Sequence, residues 1–140
     1  LASSAASDVY KRQLMIRRAV RHRKLSIDDM EGHEFEAFCA QMLALDGFDE
    51  VITTKASRDF GADILASRDG VTYAIQCKCY SDMVGIKSVQ EVYAAKDFYD
   101  RMVGVVMTNS YFTAPAKEAA DKLKVLMWDR DYIADRGYTE

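Results

Sequence analysis

The sequence predicts an α/β sandwich: a mixed central sheet with flanking helices on both sides, in the order αβββαβαβ. Three observations carry this. Phe35, Phe38, Cys39, Met42, Leu43 and Leu45 recur at helical spacing and form one apolar stripe. An Asp-Gly pair, Asp69-Gly70, separates two short runs of strand-like residues, the pattern of a tight hairpin. Met102–Thr108 (MVGVVMT) is a continuous apolar run, as expected of a strand covered on both faces.

The 140 residues leave room for one domain, and 49% hydrophobic residues suffice for a packed core. The formal charge of −3 is unevenly spread. Residues 9–25 hold seven basic side chains and no acid, whereas the chain from residue 26 onward carries −9. So acidic a body does not suit a protein that coats DNA by charge alone. It is compatible with metal chemistry, because ligand carboxylates need a cation to neutralise them. Three cysteines and two histidines form no zinc pattern, and few cysteines fit a reducing cytoplasm. No apolar run approaches the roughly 20 residues that span a bilayer.

The chain begins at Leu1, and Ser3–Gln13 reads as the in-frame translation of a transposase sequencing adapter. Residues 1–13 are therefore set apart as an artefact, and on that reading the true start lies further upstream. Residues 14–28 form a basic arm or linker, open to three readings: a helix, a strip touching DNA backbone, or the flank of a missing membrane segment. The main domain is expected over 29–130 and a polar C-terminal tail, helical or fraying, over 131–140. Ser26 and Asp28 offer N-caps for a first helix from about Asp29 to Leu45, ended by Gly47. Residues 48–56 read as a strand rich in β-branched side chains. A second helix spans about 85–99. There Gln90 and Glu91 could face the site, though solvent-facing polar residues are the better reading. Thr113 caps a third helix, with Pro115 tolerated in its first turn. Residues 125–128 form a last short strand.

If Asp69 and Gly70 are the two loop residues of the hairpin, Arg68 pairs with Val71 and Asp63 stands opposite Gln76. Lys78 then lies diagonal to Asp63 on the same face, about 7–8 Å away. Ile75, Cys77 and Cys79 point the other way, toward a core. A carboxylate, an amide and an ammonium are thus set side by side. The same alternation also describes the ordinary outer face of a half-buried sheet. On the first helix, Glu34 and Glu36 flank the apolar stripe on opposite edges, and periodicity does not choose between them.

Asp59-Phe60-Gly61-Ala62-Asp63, followed by Gln76-Cys77-Lys78, resembles the Mrr-like restriction endonuclease domain. This is a variant of the PD-(D/E)xK nucleases with Gln in place of the usual acid. Thr108-Asn109, Phe112-Thr113 and Ala114 resemble the same domain, and the resemblance covers about residues 30–129. It implies a restriction-endonuclease-like three-layer sandwich and a Mg²⁺-dependent endodeoxyribonuclease, with Mn²⁺ able to substitute. It implies Asp63 as the central metal ligand and Glu36, from the family's Phe-Glu pair, as a second. The backbone carbonyl of Cys77 would be a third. Gln76 takes the place of an acid, and Lys78 orients water and stabilises the phosphate. The implied partner is double-stranded DNA, in type IV restriction enzymes often methylated, and double-strand cutting calls for a homodimer or transient pairing. Other classes stay open: a nuclease-fold DNA-binding module with little or no cleavage, a junction-resolvase-like nuclease, and a membrane-tethered sensor or scaffold.

Overall fold

The computed structural model describes residues 7, 8, 10–12, 14, 26–54 and 60–137. Most of the segment read as adapter and basic arm lies outside the described residues, and so does Asp59. After a 3-10 turn at Ile27–Asp29, the elements are α1 (Gly32–Leu45), β1 (Asp49–Thr53), β2 (Ile64–Arg68), β3 (Val71–Lys78), α2 (Ile86–Phe98), β4 (Val103–Thr108), α3 (Ala114–Leu123), β5 (Leu126–Trp128) and α4 (Arg130–Asp135). This is the expected order with one helix added. The five strands lie in sequence order. β1, β2 and β3 run antiparallel, while β3, β4 and β5 run parallel through crossover helices, so the sheet is mixed. Among the described residues, no helix is long and apolar enough to cross a membrane.

Apolar clusters cover both faces of the sheet. On one face α1 lays Phe35, Phe38, Cys39, Met42 and Leu43 onto Ile64, Ala66, Ile75, Val105 and Met107. On the other, Val89 and Val92 of α2 pack with Val106 and with Ala116 and Ala120 of α3. β4 feeds both cores, which explains its unbroken apolar run.

One end differs from the sequence expectation. Ser26 caps the 3-10 turn, accepting a hydrogen bond from Asp28 N–H, and α1 starts only at Gly32. Its N-terminus is closed by a capping box between Glu31 and Glu34. Of the two readings of the C-terminal segment, the described residues take the helical one. Asp129 caps α4 by accepting from Asp131 and Tyr132 N–H, and Ile133 is fully buried in the α1-side core. Arg136 then reaches back to Asp46 at 3.0 Å.

The hairpin turn is as expected. Asp69 and Gly70 both have positive φ, 51° and 80°, as a type I′ turn requires. Arg68 pairs with Val71, and the register runs unbroken to Ile64–Ile75. It stops there, one residue short of the expected Asp63–Gln76 pair. Arg68–Val71 closes a two-residue loop and is a hydrogen-bonded pair, so Ile64–Ile75, four residues along, is one too. Asp63 N–H nevertheless also donates to the Ile75 carbonyl, at 2.8 Å. Two successive residues of the β2 strand thus share one β3 carbonyl, which is a bulge at Asp63. Thr54 fixes the bulge from the other side: its N–H donates to the Asp63 carbonyl at 2.9 Å and its hydroxyl to the Ala62 carbonyl at 2.8 Å.

Candidate active site

The bulge turns the Asp63 carboxylate back across the end of β3, where Oδ2 accepts the Cys77 N–H at 2.8 Å. Gly61 makes room for this. Its φ is +87°, and a Cβ there would stand 2.9 Å from the Glu91 carbonyl of α2. The loop therefore lies directly on α2, and only glycine fits. The result is a cleft of about 580 Å³ lined by Glu36, Asp63, Gln76, Cys77, Lys78 and Glu91, with Phe60 at its edge. Four elements supply it: α1, the bulge before β2, the end of β3, and α2.

Asp63, Gln76, Cys77, Lys78 and Glu36, the site residues the resemblance implies, all line this cleft. Of the two candidate carboxylates on α1, Glu34 is spent on the capping box, accepting Glu31 N–H at 3.1 Å. Glu36 is the one that lines the cleft. Glu31, His33 and Glu34 also bring ligand atoms within 4.8 Å of one another at the start of α1, but Glu31 and His33 are exposed and Glu31 and Glu34 form the capping box. The Lys78 ammonium stands 5.8 Å from the centre of the Tyr80 ring.

For Glu91 the structure takes the less favoured of the two readings: it faces the cleft rather than solvent, and its Oε2 accepts a 2.8 Å hydrogen bond from Gln76 Nε2. Its Oε1 lies 3.8 Å from Lys87 Nζ, one turn earlier on α2. A carboxylate only accepts, so Glu91 also fixes which way the Gln76 amide points. Gln76 is 5% exposed, and its Oε1 is buried without a hydrogen-bond partner. Native proteins seldom leave such an oxygen unpaired.

The Cys77 side chain packs on the α1-side core, and its thiol is held well above the usual range. The hydrogen bond with Cys39 is the main cause. Burial comes next, and the negative charges of Cys39, Asp63 and Glu36 add to it. The thiol stays protonated and is a poor metal ligand, which leaves Cys77 its backbone carbonyl to offer.

Three carboxylates and one ammonium line the cleft, a formal −2. An unpaired buried amide oxygen lies among them. This set of hard oxygen donors with excess negative charge fits a divalent cation of the Mg²⁺ or Mn²⁺ kind.

A mixed five-stranded sheet between helices, with the cleft at the end of the central strand, defines the restriction-endonuclease-like fold. The chain belongs to the Mrr_cat restriction endonuclease family, whose model matches residues 27–136. Among solved structures, it is similar to DNA modification-dependent restriction endonuclease AspBHI, with a TM-score of 0.57 and 20% identity over 93% of this chain and 35% of that one. It is similar also to "Protein of Unknown Function AF1548", with a TM-score of 0.59 and 24% identity over 69% of this chain and 57% of that one. At these identities the likeness is one of fold. The chain thus spans about a third and somewhat over half of those two chains. A comparison with curated proteins finds no match.

Proposed function

We propose that this domain is a metal-dependent DNA endonuclease that hydrolyses phosphodiester bonds in the cleft at the end of β3. The observation that carries the reading is the buried, unpartnered Gln76 Oε1 in a cleft shared with Asp63, Glu36 and Lys78. Asp63, Glu36, the Cys77 carbonyl and Gln76 Oε1 are the groups that would hold Mg²⁺, or Mn²⁺ in its place. A divalent ion there supplies Lewis-acid stabilisation of the phosphate and lowers the pKa of water. Lys78 orients the attacking water and stabilises the negative charge that grows on the phosphate oxygens. Asp63 cannot swing freely, because the bulge and the Cys77 N–H hold it; the ligand is preorganised before any cation arrives. Gln76, being neutral, binds a cation less firmly than the acid it replaces, which favours one metal ion per site.

Double-stranded DNA is the substrate, supported by family membership, and the name of AspBHI, a DNA modification-dependent enzyme, favours modified DNA, with methylated DNA the form tested first. Cutting both strands requires two copies of the domain. A cytoplasmic location follows from a DNA substrate, with any recognition or tethering segment outside the described residues. The test is Mg²⁺-dependent cleavage of methylated plasmid, unmethylated plasmid and a four-way junction under matched conditions. Preference for methylated duplex is expected. Preference for the junction would point to a resolvase, and binding without cleavage of any substrate would leave only a DNA-binding module.

A further inference from the structure

We propose that Glu91 is a positioning residue that sets the Gln76 amide with its oxygen toward the metal. The proposal rests on the reading that the cleft holds a divalent cation. Its physical content is a choice between two ends of one amide. Gln76 carries a donor end and an acceptor end of nearly the same shape. Only the acceptor end serves a cation, and the donor end would repel one. With Nε2 given to Glu91 Oε2 at 2.8 Å, Oε1 is left as the end without a partner, 95% of the residue being buried. Lys87 Nζ, on a largely exposed side chain, lies 3.8 Å from the other oxygen of Glu91, a weak and solvated pairing. Gly61 keeps the loop tight against the Glu91 backbone, which sets the depth of α2 over the cleft. A neutral residue thus gains a fixed polarity from a charged neighbour that needs no contact with the metal.

A double-mutant cycle separates positioning from simple charge. Glu91→Gln is nearly isosteric and replaces a pure acceptor by a group that both donates and accepts. Either end of the Gln76 amide then finds a partner, the fixed polarity is lost, and Mn²⁺ affinity measured by calorimetry falls about tenfold, the scale of a hydrogen bond to a charged group. In a Gln76→Glu background there is no amide to orient, and a carboxylate faces Glu91. There Glu91→Gln restores a donor to that carboxylate, so it leaves Mn²⁺ affinity unchanged or raises it. A through-space role for the Glu91 charge would instead lower affinity equally in both backgrounds, and that result overturns the proposal. So does an unchanged affinity for Glu91→Gln alone.

A second readout needs no metal. In ¹⁵N-labelled, metal-free protein the Gln76 NH₂ proton donated to Glu91 should lie downfield and exchange slowly with water, and Glu91→Gln should move it upfield and speed its exchange. Unaltered signals would refute the positioning role. If wild-type protein shows the ordered NH₂ but binds no Mn²⁺, the orientation stands and the metal reading fails, so the two are told apart.

Discussion

Asp63→Asn separates the structural from the ionic work of the central carboxylate. In the metal-free protein Asp63 Oδ2 accepts the Cys77 N–H at 2.8 Å, in a residue 9% exposed. Asparagine keeps an oxygen there, so metal-free stability should stay within about 1 kcal/mol of wild type. Alanine would orphan a largely buried N–H and cost about 1–3 kcal/mol. With metal the order changes. At a free concentration about 100 times its dissociation constant, a ligand of the native state adds about 2.7 kcal/mol. For a domain of this size that raises the midpoint of thermal unfolding by about 10 °C. Wild type should show this rise with Mg²⁺ or Mn²⁺, and Asp63→Asn should show little of it despite an intact fold. Thermal unfolding followed by circular dichroism, with and without metal, is the assay. An equal rise in both proteins would mean that the cation does not sit on Asp63.

Three further outcomes follow from the packing. Asp28 accepts two hydrogen bonds from Arg130, at 2.8 and 3.1 Å, and one from buried Asn109 at 3.0 Å; the ion pair is partly exposed and screened. Asp28→Ala should therefore destabilise by about 2 kcal/mol, mostly through the Asn109 amide left unpaired, read as a lower urea midpoint at unchanged slope. Ile133→Ala in α4 should cost about 3 kcal/mol, because the side chain is fully buried; a loss under 0.5 kcal/mol would return 131–135 to the status of a tail. The Cys77 thiol, raised by its hydrogen bond with Cys39, then by burial and the nearby acids, favours the protonated form in the fold. Its stabilisation is full below the ordinary thiol value of 9.0 and drains as pH rises beyond it, so Cys77 should resist iodoacetamide in native protein at pH 8 and react once unfolded, as mass spectrometry would reveal.

The hairpin was legible because its turn chemistry and its alternation agree: only Asp-Gly at positive φ joins strands that close, and the pairing number follows from the loop length. β4 was legible from apolarity alone. The bulge at Asp63 leaves no mark on alternation, since the extra residue falls at a strand end, but Gly61 announced it: a glycine there allows close backbone approach or a bulge beside Asp63, and only the partner it approaches, the Glu91 carbonyl, was not legible. Glu91 stayed between two readings for a different reason. A helix face is set by what packs against it, and with Val89 and Val92 turned to the α3-side core, residue 91 reaches the cleft only because Gly61 lets the loop lie against α2. The choice between Glu34 and Glu36 was a matter of caps: had Glu31 been read with Glu34 as a capping box, Glu34 would have been accounted for. Asp129 likewise caps α4, and with Tyr132, Ile133 and Ala134 it favours the helical of the two C-terminal readings.

The most direct test of the central claim pairs cleavage with metal binding in one variant. Lys78 lines the cleft beside the oxygen donors without being one of them. Wild-type protein should nick supercoiled plasmid in Mg²⁺ and stop when the metal is chelated. Lys78→Ala should lose that activity by at least about a hundredfold while binding Mn²⁺ as tightly as wild type or more so, because a cation beside the metal has been removed. Nicking by Lys78→Ala at the wild-type rate, or wild-type nicking that persists in chelator, would contradict a metal-dependent nuclease site on this hairpin.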